Sequence, residues 1–250
     1  MSLKRLFFIG FISFCVCVCI YAPAQLMGVA FNRFSGGRLD LANSQGTLWQ
    51  GSAHVLLNNL AQPSEALDLG KVSWDTQPLQ LLAGKFAVSI THNQGAPFWM
   101  TLDTSRLHIE HATFSLPTEI VSTLVPSLRA AALGGQLAIR CDNFSLTRQE
   151  ILGQVEIDWN QASSALSLLN PLGNYHTKLE GSGSGLTIQL STLSTGPLIM
   201  QGNGRWSASE GLHFEGTAEA EPTAKLQLQE LLRVMGNETT AGSGKYQLRF

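Results

Sequence analysis

Gly46-Thr47-Leu48-Trp49-Gln50-Gly51 sets a glycine turn and a tryptophan at the head of a run, 47–57, in which apolar and polar residues alternate. Period-two alternation is what a strand with one covered face requires. The same combination of glycine turn, alternation and nearby tryptophan returns around Trp74, Trp159 and Trp206. Strands are expected at 38–41, 47–57, 69–74, 86–91, 98–103, 107–116, 136–146, 154–159, 175–180, 186–193, 198–206, 212–220 and 245–250. Connections this short favour antiparallel meanders. The fold class read from this pattern is mainly β: an antiparallel meandering sheet, open, curved or groove-like, with a few short capping helices.

Composition narrows the function. The 250 residues suffice for one or two cores, and the 24 glycines, which show no collagen-like period, suit many turns between short strands. Charged residues make up 14% of the chain and the formal net charge is −2, so the basic footprint that nucleic-acid binding needs is missing.

The N-terminus is expected to act as an anchor. Lys4 and Arg5 precede a charge-free run from Leu6 to Ala22, which as a helix would cover about 25 Å, the short end of a bilayer span. Basic residues hold the near end in the cytoplasm and send the rest of the chain out. A cleaved signal peptide is the other reading, because Ala22-Pro23-Ala24 has the small-x-small form of a cleavage site. The expected organisation is a cytoplasmic leader over 1–5, a transmembrane anchor or uncleaved signal over 6–22, a linker over 23–37, and an exported β-rich domain over 38–250. Cys15, Cys17 and Cys19 lie in the apolar run, so the exported part holds Cys141 alone and can form no internal disulfide.

Within 136–146, Leu137, Ile139 and Cys141 share one strand face while Arg140 and Asp142 take the other. Such a sheet needs a second layer over its apolar face. Helices are expected over 117–133, split by Pro126, over 162–170, and over 223–235. In the last, Leu228, Leu231, Leu232 and Met235 form a stripe that stops at Gly236-Asn237.

Candidate chemistry is sparse. His108-Ile109-Glu110-His111 gathers two histidines and a carboxylate, but on a strand His108 and His111 face opposite sides. Gly181-Ser182-Gly183-Ser184-Gly185 resembles a phosphate loop but precedes a strand rather than a helix, and reads as a hairpin turn. No Gly-x-Ser-x-Gly elbow occurs, and Cys141 has no histidine nearby in sequence. No catalytic residue, metal ligand or cofactor is therefore assigned. The tryptophans, Trp99 among them, are expected to plug core edges, with their indole nitrogens bonded to backbone carbonyls.

The order of these features carries a resemblance. A basic leader and one apolar span precede Gly46-Thr47-Leu48-Trp49-Gln50-Gly51, then Val72-Ser73-Trp74 and Pro78-Leu79-Gln80-Leu81-Leu82-Ala83-Gly84. Asn170-Pro171-Leu172-Gly173-Asn174-Tyr175, Gly202-Asn203-Gly204-Arg205-Trp206 and the helix around Leu231-Leu232 follow in turn. In this sequence of motifs the chain resembles the type II secretion system protein N family over almost its whole length. The resemblance implies a single-pass inner-membrane protein with its bulk in the periplasm, an accessory, non-catalytic scaffold or assembly factor in the export of folded proteins. It implies other type II secretion subunits and the inner membrane as partners, and transfers no catalytic residue. It also suggests a distant kinship with periplasmic β-groove proteins that handle lipid. Two alternatives remain: a periplasmic lipid-binding β-groove module, and an outer-membrane β-barrel ending on the alternating strand 245–250. Three tyrosines and the helical segments argue against the barrel.

Overall fold

The computed structural model describes residues 3–58, 66–124, 126–194, 196–240 and 242–249. The chain forms two compact units, Met1–Pro97 and Phe98–Phe250.

The first unit begins with helix α1 (Leu3–Ile20) and helix α2 (Gln25–Phe34). Its strands β1 (Leu39–Gly46), β2 (Gln50–Asn58), β3 (Ala66–Thr76) and β4 (Phe86–His92) pair antiparallel in sequence order. Helix α1 has 18 residues, about 27 Å at 1.5 Å per residue, against about 30 Å of bilayer hydrocarbon. Among the described residues no helix is long and apolar enough to cross a membrane. The expected span over 6–22 is thus helical but ends early, because Ala22 to Ala24 join the sheet. Leu48 donates its N–H to the Ala22 carbonyl at 2.8 Å and Ala24 donates to Gly46 at 3.2 Å, while Pro23 bridges Thr47.

The segment 23–37, expected as a linker, carries α2. Gly36 (φ 63°) and Gly37 (φ 82°) end that helix, with the Gly37 N–H returned to the Asn32 carbonyl at 2.7 Å. The first residues of the expected strand 47–57 are instead a hairpin turn: Gly46 pairs with Gly51, the Thr47 N–H donates to the Gln50 carbonyl, and the Gln50 N–H donates to Thr47 Oγ1. Trp74, paired with Gly51, fixes this arrangement. Its indole donates to the Leu48 carbonyl at 3.2 Å, and a Cβ on Gly51 would meet the ring at 2.7 Å.

The second unit contains β5 (Phe98–Leu102), β6 (Arg106–Glu110), β7 (Ala112–Pro117), α3 (Glu119–Leu124), a 3-10 turn (Pro126–Ala131), β8 (Leu133–Thr147), β9 (Ile151–Ser164), β10 (Gly173–Gly183), β11 (Gly185–Thr192), β12 (Leu198–Ser207), β13 (Gly211–Ala220), α4 (Lys225–Met235), β14 (Asn237–Glu238) and β15 (Lys245–Arg249). Antiparallel pairing runs β5-β6-β8-β9-β10-β11-β12-β13-β15-β14, with β7 pairing β8 beside β6. This is the open meander expected from the sequence. Phe250, the end of the expected last strand, lies outside the described residues.

Two local expectations fail. The strand 107–116 is broken at His111, whose φ of 51° lies in the left-handed region. The helix over 162–170 does not form, because serine hydroxyls capture the backbone groups that a helix would use. Ser164 Oγ donates to the Ala131 carbonyl and accepts the Leu166 N–H, and Ser167 Oγ donates to Leu169 and accepts its N–H. The helix expected over 117–133 is divided at Pro126 as read, and α4 carries the stripe as read.

Register decides what each face of the second sheet offers. Tyr175 pairs with Trp159, and Trp159 with Leu137; Thr177 pairs with Ile157 and Leu190. Leu179 pairs with Val155 and Ile188, and Val155 with Cys141. One face is therefore apolar across many strands. Helix α4 buries Leu228, Leu231 and Leu232 on part of it, against Tyr175, Leu198, Met200, Tyr246 and Leu248. Farther along the strands Ile139, Val155, Ile157, Leu179 and Ile188 are only half-buried.

Candidate functional site

Beneath α4 the apolar face does not close completely. A cavity of about 250 Å³ remains, lined from above by Leu231, Val234 and Met235 and from the sheet by residues of β8 to β13 and β15. One side is walled by the connection between β7 and β8, through Thr118, Val121, Leu128 and Ala131. Glycines shape the floor: Gly202, Gly204 and Gly216 lie under the Phe214 ring, where a Cβ on Gly202 would come within 2.5 Å of it. The ring thus fills the space that three side chains would otherwise occupy.

No charged residue lines the cavity. Three lining side chains carry a polar hydrogen. The Trp159 indole is spent on the Gly134 carbonyl at 3.0 Å, and Tyr175 Oη on the carbonyls of Leu198 at 2.9 Å and Leu172 at 3.2 Å. The two rings tilt against each other with centroids 5.5 Å apart. Burial pushes the Tyr175 phenol far above its ordinary ionisation range, so it stays a neutral donor. Thr118 differs. It is 1% exposed, yet Oγ1 has no hydrogen-bond partner among the described residues.

The opposite face of the sheet is polar. Arg140 reaches Asp158 at 2.8 Å and Glu156 at 3.3 Å, His176 Nδ1 meets the other Asp158 oxygen at 2.6 Å, and Lys178 pairs with Glu180 at 3.3 Å. The Arg140 and His176 pairs cross strands while Lys178–Glu180 lies within β10, and all contribute little individually to stability.

The residues singled out by sequence are kept apart. His108 Nε2 meets Glu110 at 3.1 Å, and His111 Nδ1 meets Asp142 at 3.1 Å, so each histidine has its own carboxylate. Cys141 is buried on the apolar face, and desolvation there, with the neighbouring Asp142 charge adding to it, pushes its thiol above the ordinary range and disfavours the thiolate. Among the described residues no three His, Cys, Asp or Glu side chains converge as metal ligands. Gly181 to Gly185 is a tight hairpin turn, with Gly183 at φ 100°. Trp74 and Trp159 bond backbone carbonyls as expected, whereas Trp99 is 40% exposed.

The cavity was not found in the sequence. Its signals were Gly202, Gly204 and Gly216 set in register around Phe214, and a threonine opening α3 on the buried side; both need the pairing register before they mean anything.

Comparison with known proteins gives one match. The family described as Type II secretion system (T2SS), protein N matches residues 37–249. No curated protein and no solved structure matches the chain.

Proposed function

The chain belongs to the type II secretion system protein N family, and we propose that within type II secretion it acts as an accessory, non-catalytic scaffold, anchored in the inner membrane with its β-rich part in the periplasm. The observation that carries the non-catalytic reading is the dispersal of reactive groups: His108 pairs with Glu110, exposed His111 pairs with Asp142, and Cys141 is buried on the apolar face. The fold's resources go instead into a broad sheet with a wet face and an apolar face. A terminal strand such as β14 offers backbone groups to which another subunit's strand can add.

Retention of the N-terminal segment is supported by Ala22 to Ala24. The residues of the candidate cleavage site are hydrogen-bonded into the first sheet, with Ala22 and Ala24 both buried. A cleaved chain would lose part of that pairing. Helix α1 carries exposed Phe7, Phe8, Phe11 and Phe14, an apolar surface that suits lipid.

The test is secretion itself. Cells carrying His108→Gln, His111→Asn and Cys141→Ala together should export a reporter hydrolase at near the wild-type rate. Loss of export by a variant that keeps its circular dichroism and its cross-linked partners would require a metal or thiol function.

A further inference from the structure

We propose that the cavity beneath α4 takes the acyl chain of an ester lipid, with the Thr118 hydroxyl donating to the ester carbonyl. The lining excludes other occupants in turn. An extended peptide would bring an N–H and a C=O at every residue into a space whose single unspent polar hydrogen is that of Thr118. A free fatty acid would bring a carboxylate, and no lining residue carries a positive charge to meet it. A thin, unbranched hydrocarbon bearing one neutral acceptor satisfies every group present.

The surroundings give the rest of such a molecule a place. Leu190, which lines the cavity, lies in register through Thr177 with the half-buried Ile157 and Ile139, and Ile188, Leu179 and Val155 form the next half-buried row of the same face. That row is apolar surface that α4 does not cover, and a chain longer than the cavity extends along it. An orphaned buried hydroxyl costs stability in the empty protein, and the ester oxygen removes that cost on binding.

Photolabelling tests this directly on the full chain. The probe is a phosphatidylethanolamine with a diazirine in one acyl chain, presented in phosphatidylethanolamine and phosphatidylglycerol vesicles, with adducts mapped by mass spectrometry. Adducts are expected on Tyr175, Met200, Leu231 or Met235, and Ala131→Phe, which fills the cavity, should reduce them severalfold while leaving labelling of α1 unchanged. Thr118→Val should weaken binding of the ester probe about five- to tenfold and leave an ether-linked analogue unaffected. Adducts confined to α1 and α2, or none, would overturn the proposal. So would equal labelling by a diazirine fatty acid, equal effects of Thr118→Val on ester and ether probes, or a peptide recovered in the cavity. None of these outcomes touches the scaffold reading, which rests on secretion and partner capture.

Discussion

Single side chains already divide this protein into parts that tolerate change and parts that do not. Leu231 is 2% exposed, and Glu230 beside it is exposed and pairs with Arg233. Leu231→Asp should cost at least about 3 kcal/mol, from a lost leucine plus an unpaired buried charge, while Glu230→Ala should stay within about 0.5 kcal/mol; thermal melts of the two variants check this. Thr118→Val should raise the stability of lipid-free protein by about 1 kcal/mol, since it removes a buried hydroxyl that has no partner among the described residues. Tyr175 adds a pH dependence. Burial holds its folded-state pKa above that of the unfolded chain, so at alkaline pH unfolding releases its proton and stability falls as pH climbs past about 10. Tyr175→Phe should be less stable at neutral pH and should lose that part of the alkaline slope in denaturant titrations.

Elements show where local chemistry overrides pattern. The strand pair around β8 is interrupted at two facing places, His111 (φ 51°) and Asn143 (φ 50°), and the β8–β9 register shifts between Asp142 and Ser145. Backbone in the left-handed region accepts Asn with little strain and resists β-branched residues. His111→Asn should therefore leave denaturant stability within about 0.5 kcal/mol, and His111→Val should cost about 1–2 kcal/mol. Serines 164 and 167 act in the same way against the helix expected over 162–170. Their hydroxyls supply local partners that a periodicity count cannot weigh. Helix α2 was missed for a different reason: Gly36-Gly37 was available as its stop, but no side-chain cap marks its start.

At the scale of the whole molecule, the proposed anchor would set which side of a membrane each part occupies. With Lys4 and Arg5 ahead of the apolar run, alkaline phosphatase fused to the C-terminal end should be active, which checks export. N-terminal sequencing of the protein from membranes should find the segment before Gln25 still attached. A mature protein starting at Gln25 would mean that Ala22 and Pro23 are absent from the first sheet, and the backbone bond from Leu48 to Ala22 with them.

The sequence by itself determined the architecture class, because period-two alternation and glycine turns are local properties that each strand declares alone. It determined the secretion family as well, through the order of motifs from Gly46 to Leu232, and it placed the stripe of α4 correctly. What only the tertiary structure decided is everything that depends on register. Whether Gly202, Gly204 and Gly216 cluster under Phe214, whether Thr118 points at solvent or into a cavity, and whether His108 and His111 share a carboxylate are fixed by which residue stands opposite which. A shift of one residue in any strand would exchange its two faces. The cavity under α4 therefore exists as a consequence of pairing, and no stretch of the chain encodes it alone.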